Sequence, residues 1–155
     1  MDFALQKATE LGVAKIQPLF TQRCVVKLPG KRLASRMEHW QKIIVNACEQ
    51  SGRCLPPEIE PPKPFTTVLD KANKELRLLL DPSSQQGLMD FHKPERSVSL
   101  LVGPEGGLDE EENRQAQSKE FRGIKLGPRI LRAETAPLAA IAAIQTLWGD
   151  FGCTG

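Results

Sequence analysis

The sequence predicts an α/β fold, a parallel sheet covered by helices, on three observations. The runs LRLLLD (residues 76–81) and SVSLLV (residues 97–102) are too short for core helices and have the apolar character of strands buried on both faces. They alternate with stretches of helical periodicity, the pattern that demands crossover connections and therefore parallel pairing. Several of the apolar runs stop in glycine and proline, where an open parallel sheet places its ligand-binding loops.

The chain of 155 residues, 40% hydrophobic, has the size and apolar content of one domain. A formal net charge of +2 means that a polyanionic partner must be met by a local basic patch. Cys24, Cys48, Cys54 and Cys153 form no CxxC pair, and His39 and His92 stand in no ligand-spaced motif. No metal site is expected, and the cysteines are expected to be buried free thiols. Without a basic leader and apolar segment at the start, the chain is expected in the cytoplasm. The longest uncharged run, Thr135 to Gly149, is too short to span a bilayer and is expected to be a buried helix.

In chain order, Phe3, Leu5, Ala8 and Leu11 share a helix face, and Gly12 sits where a left-handed C-cap belongs. KIQPLF reads as one short strand. Between Thr21 and Met37 there are five basic residues, Arg23, Lys27, Lys31, Arg32 and Arg36, and no acid, which suits either a solvated face or a polyanion contact. Leu33, Met37, Trp40, Ile44 and Ala47 then mark an amphipathic helix that stops at Gly52. Five prolines between Pro56 and Pro64 predict an extended connection over the surface. FTTVLDKANK predicts a short helix capped by Thr66 or Thr67. Asp109 and Glu112 form a capping-box pair that starts a helix ending near Phe121, GIKL predicts a further strand, and APLAAIAAIQTLW the last helix.

Two loops carry the chemistry. GPEGG, Gly103 to Gly107, has three glycines in five residues. That is the composition either of a tight strand-to-helix turn or of a loop that lets a ligand lie against main-chain groups. It matches no phosphate-binding glycine motif, and Glu105 with the acids from Asp109 to Glu112 favours a neutral or cationic ligand. The second loop, LGPRILRAETAPL (residues 126–138), sets Arg129 and Arg132 beside Glu134. Surface ion pairing is one reading of these arginines; gripping a phosphate or polarising a carbonyl is the other. Loops at consecutive strand ends predict one shared pocket.

The segments KATELGV, PLFTQRCVVKL, WQKIIVNACEQSGR, LLVGPEGGL and LGPRILRAET together resemble the bacterial small-subunit (16S) ribosomal RNA uridine-N3 methyltransferases of the SPOUT superfamily, from Asp2 to about Phe151. The resemblance implies a deep C-terminal trefoil knot, a homodimer, and S-adenosyl-L-methionine held by the knot's loops. It assigns the cofactor to Val102, Gly103, Pro104, Glu105, Gly106 and Gly107, and to Leu126, Gly127, Pro128, Ile130, Leu131 and Ala136. A third segment, LLLDPSS with Leu80, also belongs to it. The implied partner is ribosomal RNA or the small ribosomal subunit, with no membrane and no metal; Arg23 and Lys27 of the basic stretch are expected to contact its phosphates, and Arg53, at the end of EQSGR, either to position RNA or to cap a helix.

The family's usual N-terminal RNA-binding domain precedes the catalytic one, whereas this chain starts at the first catalytic helix and is expected to be a fragment. The family's RTET reads RAET here, so Ala133 lacks a hydroxyl, and Pro137 falls in the first helical turn, which tolerates it. Uridine N3 must lose an imide proton before it accepts a methyl group. Arg132 or Arg129 is expected to stabilise the developing anion, and Glu134 to orient the arginine or act as base. The uncharged last helix is expected to supply a dimer interface as well as core. The rival expectations are a non-catalytic nucleotide- or RNA-binding module built on the same glycine loops, and a dimeric scaffold.

Overall fold

The computed structural model describes residues 1–23, 30–69 and 76–152. Cys24, Lys27 and Cys153 lie outside the described residues. Helix α1 (Asp2–Glu10) ends in a Schellman motif: Gly12 takes φ +88°, Val13 N donates to Ala8 O at 3.0 Å and Gly12 N to Thr9 O at 3.1 Å. KIQPLF is two strands, β1 (Lys15–Ile16) and β2 (Leu19–Phe20), rather than one. Helix α2 (Gly30–Ser51) follows the predicted stripe, burying Trp40, Ile44, Ala47 and Cys48.

The proline-rich connection is also more structured than expected. It contributes β3 (Glu58–Ile59), parallel to β1, and β4 (Lys63–Pro64), parallel to β2. Pro61 and Pro62 have no N–H to offer, so the ladder is broken between these two short pairs. Gln17 bridges the break, its Nε2 donating to Pro61 O at 2.8 Å. Helix α3 (Phe65–Leu69) begins before Thr66 and Thr67, which lie inside it and do not cap it.

Three strands form the central sheet in the order β6-β5-β7, all parallel: β5 (Leu76–Leu80), β6 (Val98–Leu101) and β7 (Arg122–Ile124). A short 3₁₀ turn, Leu88–Asp90, lies between β5 and β6. Strand period then sorts β5 onto two cores. Leu79 packs with Phe65, Leu69, Leu101, Leu108 and Ala116 on the side of α3 and α4 (Glu110–Ser118). Leu78 joins Leu88, Phe91 and Ile124, with Ala143, Ile144 and Trp148 of α5 (Thr135–Trp148) against them. A third core, Leu5, Trp40, Ile44 and Cys48, binds α1 to α2.

Further boundaries differ from the sequence reading. Helix α4 stops at Ser118, and Glu120 turns the chain at φ 65°. The strand expected at GIKL is shifted to Arg122–Ile124, because Lys125 N leaves the sheet and donates to Gln86 O at 2.9 Å. Helix α5 is less buried than its composition suggests: only Ala140 is fully enclosed, and Leu147 is 39% exposed. Cys48 is a buried free thiol, but Cys54 is exposed. Among the described residues no helix is long and apolar enough to cross a membrane.

Candidate active site

Each strand of the central sheet runs out at the same edge, and the loops that leave it enclose one cavity of about 270 Å³. After β5 come Leu80, Asp81 and Pro82; after β6, Val102, Gly103, Pro104, Glu105, Gly107 and Leu108; after β7, Lys125, Leu126, Gly127, Arg129, Ile130, Leu131 and Ala133. Ala136 of α5 and Asn113 of α4 complete the wall. The two glycine-bounded loops therefore meet in one pocket, as their positions predict.

The glycine loop is shaped by its own backbone. Gly107 N donates to Pro104 O at 2.8 Å, closing a turn, and Gly107 itself adopts φ +69°. A Cβ on Gly103 would sit 3.1 Å from Leu108 N and 3.3 Å from the Gly107 carbonyl carbon, so only glycine fits without moving main chain. Gly127, at φ +76°, turns the second loop. Gly106 and Pro128 lie outside the lining. The place a Gly106 side chain would take is next to Arg23, 3.4 Å from its Cδ.

The loop is held from below by helix α4. Asp109 Oδ1 accepts from Glu112 N at 2.7 Å and Glu112 Oε2 accepts from Asp109 N at 3.0 Å, the predicted capping box. The β5 loop is tied in at its own side. Asp81 Oδ1 accepts from Ser83 N at 2.8 Å and Ser83 Oγ at 2.6 Å, while Ser84 Oγ donates to Gly123 O at 2.6 Å.

The walls are apolar at Leu79, Leu80, Val102, Leu108, Ile124, Leu126 and Leu131, with the carboxylates of Asp81 and Glu105 and the cations of Lys125 and Arg129 among them. Such a pocket, largely apolar with charges of both signs, suits a ligand that is part apolar and part polar better than it suits a bare phosphate. Among the described residues no cluster of His, Cys, Asp and Glu has the arrangement of a metal site.

Of the three residues expected to be catalytic, Arg129 lines the pocket, whereas Arg132 and Glu134 stand exposed on the chain leading into α5. Arg132 contributes its carbonyl to the start of that helix, accepting from Thr135 N and Ala136 N, both at 2.9 Å. Arg23 reaches the glycine loop, its Nη1 donating to Gly106 O. Arg53 has a different employment: its Nη1 donates to Thr9 O at 2.7 Å and Val13 O at 3.0 Å, closing the C-terminal end of α1. Lys27 lies outside the described residues. Sequence reasoning missed Asn113, Lys125, Leu108 and Ile124 as pocket residues. Asn113 is one turn beyond Asp109 on α4, a spacing that places it beside the loop the cap anchors.

The family described as an RNA methyltransferase domain matches residues 1–145 of the chain. A protein of Buchnera aphidicola named ribosomal RNA small subunit methyltransferase E is 34% identical over 152 residues, covering 97% of this chain and 60% of that protein. Two solved structures align over 97% of this chain and 62% of theirs. The methyltransferase E of Neisseria gonorrhoeae, bound to S-adenosyl methionine, has a TM-score of 0.91 at 47% identity. A Legionella pneumophila structure, in complex with the same bound cofactor, has a TM-score of 0.93 at 40% identity. The chain thus spans about three fifths of the length of these relatives.

Proposed function

Since the chain belongs to the RNA methyltransferase domain family, we propose that it binds S-adenosyl-L-methionine in the pocket at the sheet edge and methylates N3 of a uridine in small-subunit ribosomal RNA. The observation that carries this reading is the union of GPEGG and LGPRIL in one cavity, together with the cofactor found in two neighbours of the same architecture. The residues fit that group: an apolar slot for an adenine, main-chain groups bared by Gly103 and Gly107, and Asp81 and Glu105 as partners for hydroxyls or positive charge.

When bound, the cofactor supplies an electrophilic methyl group. The chain's own residues do the rest. Apolar walls and the closed glycine turn orient the donor, and positioning provides much of the acceleration. At the acceptor, the N3 proton must leave and negative charge spreads to the uracil carbonyl oxygens. Arg129 lines the pocket wall and Arg132 follows three residues on in the same loop; of these two guanidiniums Arg132 is our choice for stabilising the anion. Glu134, two residues on, orients Arg132 or takes the proton. Arg23, against the glycine loop, and Lys27 contact RNA phosphates.

Two further features belong to this reading. The half-exposed, uncharged α5 is covered by a second copy of the chain, giving a homodimer. The C-terminal segment is threaded as a trefoil knot. In support, Asp81 N donates to Ile124 O and Lys125 N to Gln86 O, both at 2.9 Å, which wraps residues 81–86 closely around the exit of β7.

The test is transfer of a labelled methyl group from S-adenosyl-L-methionine to small ribosomal subunits, followed by nucleoside analysis. N3-methyluridine is expected; label on another atom or base refutes the position, and cofactor binding without transfer reduces the domain to a binding module.

A further inference from the structure

Glu112 is 7% exposed, although its neighbours Glu110 and Glu111 in the first turn of α4 face solvent. Its two oxygens have separate tasks. Oε2 completes the capping box with Asp109. Oε1 accepts from the backbone N of Gln22 at 2.8 Å, ninety positions earlier in the chain. A helix cap is served by the first bond alone. The second adds nothing to α4; it fastens the chain just after β2, where the basic stretch begins.

The next residue is Arg23, whose Nη1 donates to Gly106 O and whose Cδ lies alongside Gly106. Residues 22 and 23 are therefore gripped twice, once by the carboxylate beneath the glycine loop and once by the loop's own carbonyl. Arg23 is exposed, so the rest of its guanidinium fork is presented to solvent at the loop that borders the pocket.

We propose that Glu112 is a positioning residue of the methyl-transfer site. By holding the Gln22 backbone it fixes Arg23 against Gly106, so that an RNA phosphate bound by Arg23 is set in register with the methyl-donor pocket. The inference rests on the reading of Arg23 as an RNA contact. Free Glu112 from Gln22, and Arg23 still carries its charge but no longer has a fixed place, which weakens the bound geometry by the entropy of holding the arginine there.

Binding of transcribed small-subunit ribosomal RNA to the full chain, with S-adenosylhomocysteine saturating, tests this without requiring turnover. Arg23→Ala is expected to raise the RNA Kd roughly tenfold, the scale of one lost charge-assisted hydrogen bond. Glu112→Ala should do about the same, and the double variant should be no worse than either, because both remove one contact. Glu112→Gln should recover most of the affinity, since its amide oxygen still accepts from Gln22. Should Glu112→Ala fail to fold, Glu112→Asp replaces it: the charge stays at the helix terminus, but the shortened side chain withdraws from Gln22. Asp109→Ala is the control for a mere cap; it should lower Tm yet leave the RNA Kd within about twofold. In single-turnover methylation, the Glu112 variants should need more RNA for half-maximal rate while the rate at saturation is largely kept.

Additive losses in the double variant, or an Asp109→Ala that weakens RNA binding as much as the Glu112 variants, would overturn the positioning role. Wild-type chain that binds RNA but transfers no methyl group refutes the enzymatic reading and leaves this comparison standing. Wild-type chain with no affinity for RNA overturns the positioning role as well.

Discussion

The buried guanidinium of Arg77 shows how one residue can hold two elements. It sits on the β5 face that packs against α3 and α4, 8% exposed, with Nη1 donating to Leu69 O at 3.3 Å and Lys119 O at 2.9 Å. Its carbon Cζ lies 5.4 Å from the centre of the Phe121 ring. A cation near two helix C-termini is favoured by the negative end of each helix dipole. Arg77→Ala removes both bonds and the ring contact, and is expected to cost about 3 kcal/mol, a fall of roughly 10 °C in Tm by calorimetry for a chain of this size. Gly103→Ala tests the opposite extreme, a residue whose importance is its missing atom. With Leu108 N 3.1 Å from the new Cβ, main chain must shift. Overpacking of that kind costs on the order of 1–3 kcal/mol, so titration calorimetry should show cofactor affinity down about tenfold or more. At the acceptor side, Arg132→Ala should slow single-turnover methylation by roughly 100-fold with cofactor affinity unchanged. Raising the pH should restore part of the rate, because the uridine anion then forms without help. A near-normal rate would shift the role to Arg129, which already lines the pocket.

At the scale of elements, α4 is the test of local encoding. Its N-terminus was legible because a capping box is contained in four consecutive residues, Asp109 to Glu112, whose side chains bond backbone in the same turn. Asp109→Ala should therefore destabilise by about 1 kcal/mol, seen as a lower denaturation midpoint with an unchanged slope. The C-cap glycine of α1, the stripe of α2 and the start of α5 were legible for the same reason: each is set by neighbours one turn away. Elements whose limits are set across the sheet were not. KIQPLF breaks in two because its partner segment carries Pro61 and Pro62, far off in sequence, and β7 ends early because Lys125 N is claimed by Gln86. The same division runs through the site. The glycine loops were visible as composition, whereas Asn113, Lys125 and the bond from Gln22 to Glu112 depend on which distant segments meet. Arg53 was ambiguous between a cap and an RNA contact until α1 and α2 were brought together.

For the whole molecule, α5 is the interface of the proposed homodimer. Its fourteen residues carry no charge. Ala143, Ile144 and Trp148 face the core under the sheet. The residues Thr135, Ala139, Ala142 and Thr146 recur at intervals of three and four and so share another face, on which Thr135, Ala139 and Thr146 are exposed. A small, flat, uncharged face of this kind lets a second helix approach closely, and a lone surface helix would ordinarily carry charges there. Leu147, 39% exposed, and Ile130, 84% exposed at the pocket mouth, add apolar area that a monomer leaves in water. Sedimentation equilibrium at micromolar concentration is therefore expected to give about twice the chain mass of 17.2 kDa. Ala139→Glu separates interface from fold. On a free surface such a substitution stays within about 0.5 kcal/mol, so the monomer should keep its circular dichroism and nearly its Tm; within a dimer the charge has no partner and no water, and association should fail. A wild-type monomer, or an Ala139→Glu chain that still sediments as a dimer, would remove α5 from the interface.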